Sequence, residues 1–226
     1  MSLVFAAASE SSQAHDALAT LCRIYWRPLY GFIRRYGSDP EQAQDLTQDF
    51  VAHLLETSAL RAFRPERGRF RTFLLASLRN FLANQQNAAR AQKRGGGLQP
   101  LPLDLAACAE ESYRIEPRDN RTPEKIFERQ WALTVVDQAT ARLREEYQRA
   151  GKGELFQQLH PALTGDDDTR YRTLASAIGI SENAVKVAVH RLRQRFHEAL
   201  REEIAATVRP EEVSDEIRYL MTALRA

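Results

Sequence analysis

With 226 residues, 43% hydrophobic and 27% charged, the chain has material for one large or two small packed cores and reads as an ordinary soluble globular protein. Its formal net charge of +2 is too small to argue for any partner, so the placement of charge along the chain carries the argument. Cys22 and Cys108 have neither metal-ligand spacing nor a disulfide framework, and the apolar start MSLVFAAAS is too short for a signal or a membrane span. The expectation is a reduced, cytoplasmic protein with no membrane contact.

Helical periodicity dominates, and no alternating strand pattern is visible. From Ala14 to Tyr36, Leu18, Leu21, Ile24 and Tyr25 share one face; Pro28 is expected to begin or kink the next piece, which carries Leu29, Phe32 and Ile33. Gly37-Ser38-Asp39-Pro40 is a break, with Pro40 placed to open a helix that buries Leu46, Phe50, Leu54 and Leu55. A loop around Arg64 to Gly68 precedes a helix striped by Phe70, Phe73, Leu74, Phe81 and Leu82. Gly95-Gly96-Gly97, Pro100 and Pro102 then mark a flexible linker that runs to about Thr122. Thr122 caps the next helix, Pro123 lies in its first turn, and Ile126, Phe127, Trp131, Val135 and Leu143 supply its buried side. Gly165 and Asp166-Asp167-Asp168 form a loop. A last helix follows Pro210, with Val213, Ile217, Leu220, Met221 and Leu224 on one face. The predicted fold class is all-α: two small helical domains joined by a flexible linker. The divisions are a first domain at 1–94, a linker at 95–122, a second domain at 123–206 and a helical extension at 207–226.

Between the last two elements lies the most informative stretch, Tyr171 to Arg195, which reads as a helix-turn-helix. Leu174, Ala175 and Ile178 form the buried stripe of its first helix, Gly179 suits a left-handed turn, and Ile180 is expected to plug the corner. Ser181 is a good N-cap, and Val185 and Leu192 continue the apolar stripe. Ser181, Glu182, Asn183, Lys186, Val187 and His190 are left facing outward, where a DNA-reading helix meets the major groove. A helical hairpin used only for packing is the alternative.

Charge is segregated in the first domain. From Gly37 to Glu56 the acids are Asp39, Glu41, Asp45, Asp49 and Glu56, with no Lys or Arg. From Leu60 to Gly95 the sign reverses: Arg61, Arg64, Arg67, Arg69, Arg71, Arg79, Arg90, Lys93 and Arg94 face only Glu66. Arginines interleaved with phenylalanines suit nucleic acid, the cations holding phosphates and the rings touching bases. A solvated face or a partner for the acidic helix is the alternative, but the acids cannot balance these cations. Most of the phenylalanines are at core spacing. Phe63 is off the stripe and is the ring weighed for base contact. A second basic run, Lys186, Arg191, Arg193, Arg195 and Arg201, lies on and beyond the second helix of the hairpin.

The order of these pieces resembles the sigma factors of bacterial RNA polymerase, specifically the small two-domain extracytoplasmic-function (ECF) type, over about Ala14 to Leu200. QAQDLTQDFVAHLLE (Gln42 to Glu56) is similar to the family's acidic, polymerase-docking helix. GRFRTFLLASLRNFLANQQNAARAQKR (Gly68 to Arg94) is similar to the segment that recognises and melts the −10 element. GISENAVKVAVHRLRQRF (Gly179 to Phe196) is similar to the −35-reading helix-turn-helix. The resemblance implies that Asp45, Gln48 and Asp49 contact core RNA polymerase. It places Arg69, Arg71, Arg79 and Asn80, with Phe63, near the −10 strand of promoter DNA. Lys186, His190 and Arg191 then contact the −35 duplex, Ser181, Glu182 and Asn183 lie near base edges, and Arg193 and Arg195 hold phosphates.

Three features depart from the family's pattern. Where the family has Lys-Ser-Arg, Lys186 is followed by Val187 and Ala188. The family's leucine-proline and arginine-containing lead-in to the second domain is not recognisable in RLREEYQRAGKGELFQQLHPALTG (Arg142 to Gly165), and the helix after Pro210 exceeds the two-domain plan, marking a divergent subgroup. That helix either caps the second domain or binds the first domain or a regulator, which leaves room for an anti-sigma factor.

No catalytic constellation appears. The histidines lack zinc-protease spacing, Asp166-Asp167-Asp168 lacks the spaced ligands of a calcium loop, and Gly151-Lys152-Gly153 is not a phosphate-binding loop. A non-enzyme without cofactor or metal is expected. The rival readings are an autonomous helix-turn-helix regulator and a protein-interaction adaptor.

Overall fold

The computed structural model describes residues 12–57, 60, 63–64, 68–92, 121–164 and 168–225. Among them every regular element is helical, as the periodicity predicts: α1 (Ser12–Tyr36), α2 (Pro40–Glu56), α3 (Phe70–Gln92), α4 (Pro123–Arg149), α5 (Gly153–Leu159), α6 (Asp168–Ile178), α7 (Glu182–Ala205) and α8 (Val213–Arg225). Short 3-10 turns precede α6 and α8. No helix of the described residues is long and apolar enough to cross a membrane. The glycine-rich part of the expected linker and most of the Gly165–Asp168 loop lie outside the described residues. By packing, the chain divides into two units. One holds the residues up to Thr134 together with Ile204 onward, and the other holds Val135–Glu203. The divisions fall inside α4 and α7.

The first unit is built around α1. Pro28, expected to begin or kink the next piece, lies inside this helix and does not begin a new one. Proline deletes one backbone hydrogen bond. Ile24, Tyr25, Trp26, Leu29, Tyr30, Phe32 and Ile33 are nonetheless all buried, so packing on every side of the helix outweighs that loss. Asp39 caps α2, its Oδ1 accepting the Gln42 N–H at 2.8 Å, with Pro40 in the first helical position. The buried stripe of α2 is Ala43, Thr47, Phe50, Val51 and Leu54; Leu46, expected in the core, is only half-buried. In α3, Phe70, Leu74, Leu78, Phe81 and Leu82 face inward. Ile126, Phe127 and Trp131 of α4 also belong to this core.

The buried face of α8 differs from the one expected. Val213, Glu216, Leu220 and Ala223 are buried, at helical spacing, whereas Met221 is 45% exposed and Ile217 half-buried. A carboxylate thus stands where an apolar residue was expected, and its partners explain how it is tolerated.

In the second unit, Leu143 of α4 packs with Phe156, Leu159, Ala162, Tyr171, Val185, Val189 and Leu192. Leu174, Ala175 and Ile178 lean on this cluster but remain partly exposed. Gly179 has φ +76°, and the N–H groups of Gly179 and Ile180 both donate to the Ala175 carbonyl, at 2.9 and 3.2 Å. Ser181 Oγ then accepts the Ala184 N–H at 3.2 Å, opening α7. Ile180 does not plug the corner; it is 39% exposed, because the tight turn carries its side chain outward.

A Cβ added at Gly179 meets no atom within 4 Å, so a substitution there is penalised only by the backbone. Gly179→Ala should therefore lower unfolding free energy by about 1–2 kcal/mol, and Gly179→Asn by less, in urea denaturation. Equal losses for the two would contradict the turn geometry.

Candidate nucleic-acid interface

On α7, Val185, Val189 and Leu192 point into the core of the second unit, leaving the opposite face outward. Ser181, Asn183, Lys186, His190 and Arg191 are exposed, Glu182 is half-buried, and Val187 is 50% exposed. Lys186 Nζ lies 3.1 Å from Glu182 Oε1, one turn earlier, and 5.7 Å from the Tyr171 ring centroid. The two arginines expected to hold phosphates are placed differently. Arg193 donates from Nη2 to the Ala162 carbonyl at 2.7 Å, satisfying an oxygen in the 3-10 turn. Arg195 pairs with Glu146 at 2.7 Å and with Glu198, and its side chain stays 45% exposed.

In the first unit, the outer face of α2 presents Asp45 and Asp49, both exposed, beside half-buried Gln48. The two acids are one turn apart. Partial desolvation pushes the Asp49 carboxyl above the usual range, and the like charge of Asp45 adds to the shift.

The basic stretch is less open than the sequence suggests. Phe63, expected at the surface, is 5% exposed. Its ring meets Phe70 and Phe73 at centroid distances of 5.3 and 5.5 Å, because the segment before α3 folds its aromatic group onto the helix's first turn. Arg71 is also held inside: Nε donates to Glu216 Oε1 at 2.6 Å, and the guanidinium carbon sits 3.7 Å from the Tyr219 ring centroid and 5.4 Å from that of Trp131. Arg69 Nη1 lies 2.7 Å from Glu216 Oε2, an ion pair without hydrogen-bond alignment, with the arginine side chain 26% exposed. Arg79 pairs with Glu124, whose carboxyl is held below the usual range chiefly by that hydrogen bond. Asn80 is exposed. Arg61, Arg67, Lys93 and Arg94 lie outside the described residues.

Phe63, Arg64, Gly68, Arg69, Thr72 and Phe73 line an open groove at the start of α3. Glu216 stands behind its Arg69 wall. Tyr25 of α1 is drawn into the same network; its phenol is pushed up first by burial and then by the Glu216 carboxylate, while Arg71 opposes the shift. Sequence reasoning missed Glu216, Glu124 and Glu146 as partners of these arginines. Only Glu216 leaves a signal, an acid in register with Val213, Leu220 and Ala223.

Asp49→Asn should raise the stability of the free protein by about 0.2–0.5 kcal/mol at neutral pH, by removing the like-charge pair. The gain should disappear at a pH low enough to protonate both acids; chemical denaturation at the two pH values checks this. Glu216→Ala should cost about 3 kcal/mol, because it strands the Arg71 guanidinium, which faces the interior. A loss below 1 kcal/mol in the same assay would mean that the triad is solvated.

No curated protein and no solved structure matches the chain. Residues 21–94, all within the first unit, match the family model of sigma-70 region 2.

Proposed function

We propose that the chain is an ECF-type sigma factor, acting in the cytoplasm, that brings core RNA polymerase to a class of promoters and helps open them. The observation that carries this reading is the region 2 match over residues 21–94. Within that segment, the exposed acids of α2 suit a basic docking surface on the polymerase, with Asp45 and Asp49 as the charged contacts and Gln48 between them. Arg69, Arg79 and Asn80 face the −10 strand, while Phe63 and Arg71 act from within as the frame that holds the groove. In the second unit, the outward face of α7 reads the −35 duplex. Lys186 and Arg191 hold the backbone, Ser181, Glu182, Asn183 and His190 lie toward base edges, and Val187 adds an apolar contact. Arg193 and Arg195 support that face through their intramolecular bonds. An anti-sigma factor or other regulator fits this scheme as a further partner.

Co-purification with core polymerase, followed by run-off transcription on promoters found by start-site mapping, tests the proposal. The expected outcome is a stable complex and promoter-directed transcripts. Tight, specific duplex binding by the free protein without polymerase would favour an autonomous regulator, and absence of salt-dependent DNA affinity even with polymerase would favour an adaptor. Within the complex, Lys186→Ala and Arg191→Ala should each weaken upstream-duplex binding by about five- to tenfold and leave core binding unchanged. Asp49→Lys should weaken core binding by at least about tenfold. Unchanged core affinity for that variant would remove α2 as the docking surface.

A further inference from the structure

The groove at the start of α3 depends on a residue far along the chain. Arg69 and Arg71 converge on Glu216, which is 145 residues from Arg71 and 1% exposed. Two roles are open to such a contact: α8 could be a latch that withholds the arginines from DNA, or a strut that sets their position. Burial decides between them. Releasing α8 exposes Leu220, Val213 and Ala223, which are 0, 5 and 6% exposed, and also breaks the carboxylate's two ion pairs. It further removes Tyr219 from Arg71 and the Arg129 Nη1 donation to the Leu224 carbonyl at 2.7 Å. A fully buried leucine alone contributes about 1.5–3 kcal/mol, so the sum far exceeds what one or two strand phosphates return. The helix is a fixture.

We infer that Glu216 is a positioning residue for promoter opening: it anchors Arg69 at the wall of the Phe63–Phe73 groove, so that this guanidinium is already oriented when the single strand arrives. The inference rests on the sigma-factor reading of the first unit. Arg71 is the pin of the arrangement, clamped between Glu216 and Tyr219, and Arg69 is its working end, since its side chain keeps 26% of its exposure. The same carboxylate holds both. Fixing a long cationic side chain before binding removes part of the ordering cost of the complex.

The test is a double-mutant cycle on the polymerase complex, using fork-junction promoter DNA with a single-stranded overhang and measuring affinity against salt. Arg69→Ala should weaken binding by about tenfold and reduce the salt slope by about 0.7, the value for one single-strand phosphate contact. Glu216→Gln should produce the same loss, and the double variant little more than either single one. The sign is diagnostic, because removing an acid from a chain of net charge +2 otherwise favours DNA. If the glutamine variant does not fold, Glu216→Asp keeps the charge and retracts the carboxylate by one methylene, and it should show the same coupling to Arg69. A Glu216 variant that loses thermal stability but keeps the wild-type salt slope overturns the inference, leaving the residue a purely structural anchor. Tighter fork binding also overturns it, in favour of a latch. Failure of the wild-type chain to load polymerase sinks the sigma reading and this one together, whereas loading with no Arg69–Glu216 coupling sinks this one alone.

Discussion

Burying a carboxylate is costly unless cations and hydrogen bonds replace its water, and at Glu216 the first unit answers with two cations and one hydrogen bond, donated by Arg71 to Oε1. Arg69 and Arg71 supply the charge, and Tyr219 and Trp131 accept the guanidinium of Arg71 against their rings. Tyr25 lies close enough to feel both charges. Residues from α1, α3, α4 and α8 therefore meet at one ionic centre, with Glu128 and Thr207 as further polar neighbours. Such a centre adds less net stability than a hydrophobic plug of the same volume. Its contribution is geometric, because a paired charge accepts only a narrow set of arrangements, whereas leucine against leucine tolerates many.

The second unit relies on local geometry instead. A positive-φ glycine, two hydrogen bonds to one carbonyl and a serine cap define the entry of α7, and the Val185–Val189–Leu192 stripe fixes its rotation. With the rotation fixed, the outward set follows. Intramolecular bonds reach into this set as well: Arg193 donates to the Ala162 carbonyl, Arg195 pairs with Glu146, and Lys186 pairs with Glu182.

Much of this was legible in the sequence because it depends on short-range rules. Helical spacing identified the α3 stripe, Thr122-Pro123 marked the start of α4, and Gly179-Ile180-Ser181 marked the turn before α7. Errors arose where distant residues decide the outcome. Pro28 looks like a break until its neighbours are seen to be buried on every side of α1. Phe63 is off the helical stripe and yet becomes core, because a ring outside a helix can still fold back on it. The charge of Arg71 suggested a surface, but its partner lies 145 residues away, and no local pattern joins the two. Likewise, the Val213–Leu224 periodicity suggested an apolar face centred one position away from the observed one, because an acid was assumed to face solvent. The surroundings of Phe63 and Arg71 were thus the part least readable from sequence, and the α7 face the most.

The first unit is assembled from two separated stretches of chain, residues up to Thr134 and those from Ile204 onward. Synthesis runs from the N-terminus, so α1, α2 and α3 emerge from the ribosome long before Glu216 is made. During that interval Arg69 and Arg71 have no carboxylate to close on, and the apolar surface that later receives Val213 and Leu220 is uncovered. Closure of the unit therefore waits on residues made long after its first three helices, with the slow, long-range assembly typical of contacts far apart in sequence. A nascent chain stalled before α8 carries α2 complete but leaves two arginines unpaired and an apolar seat open to water.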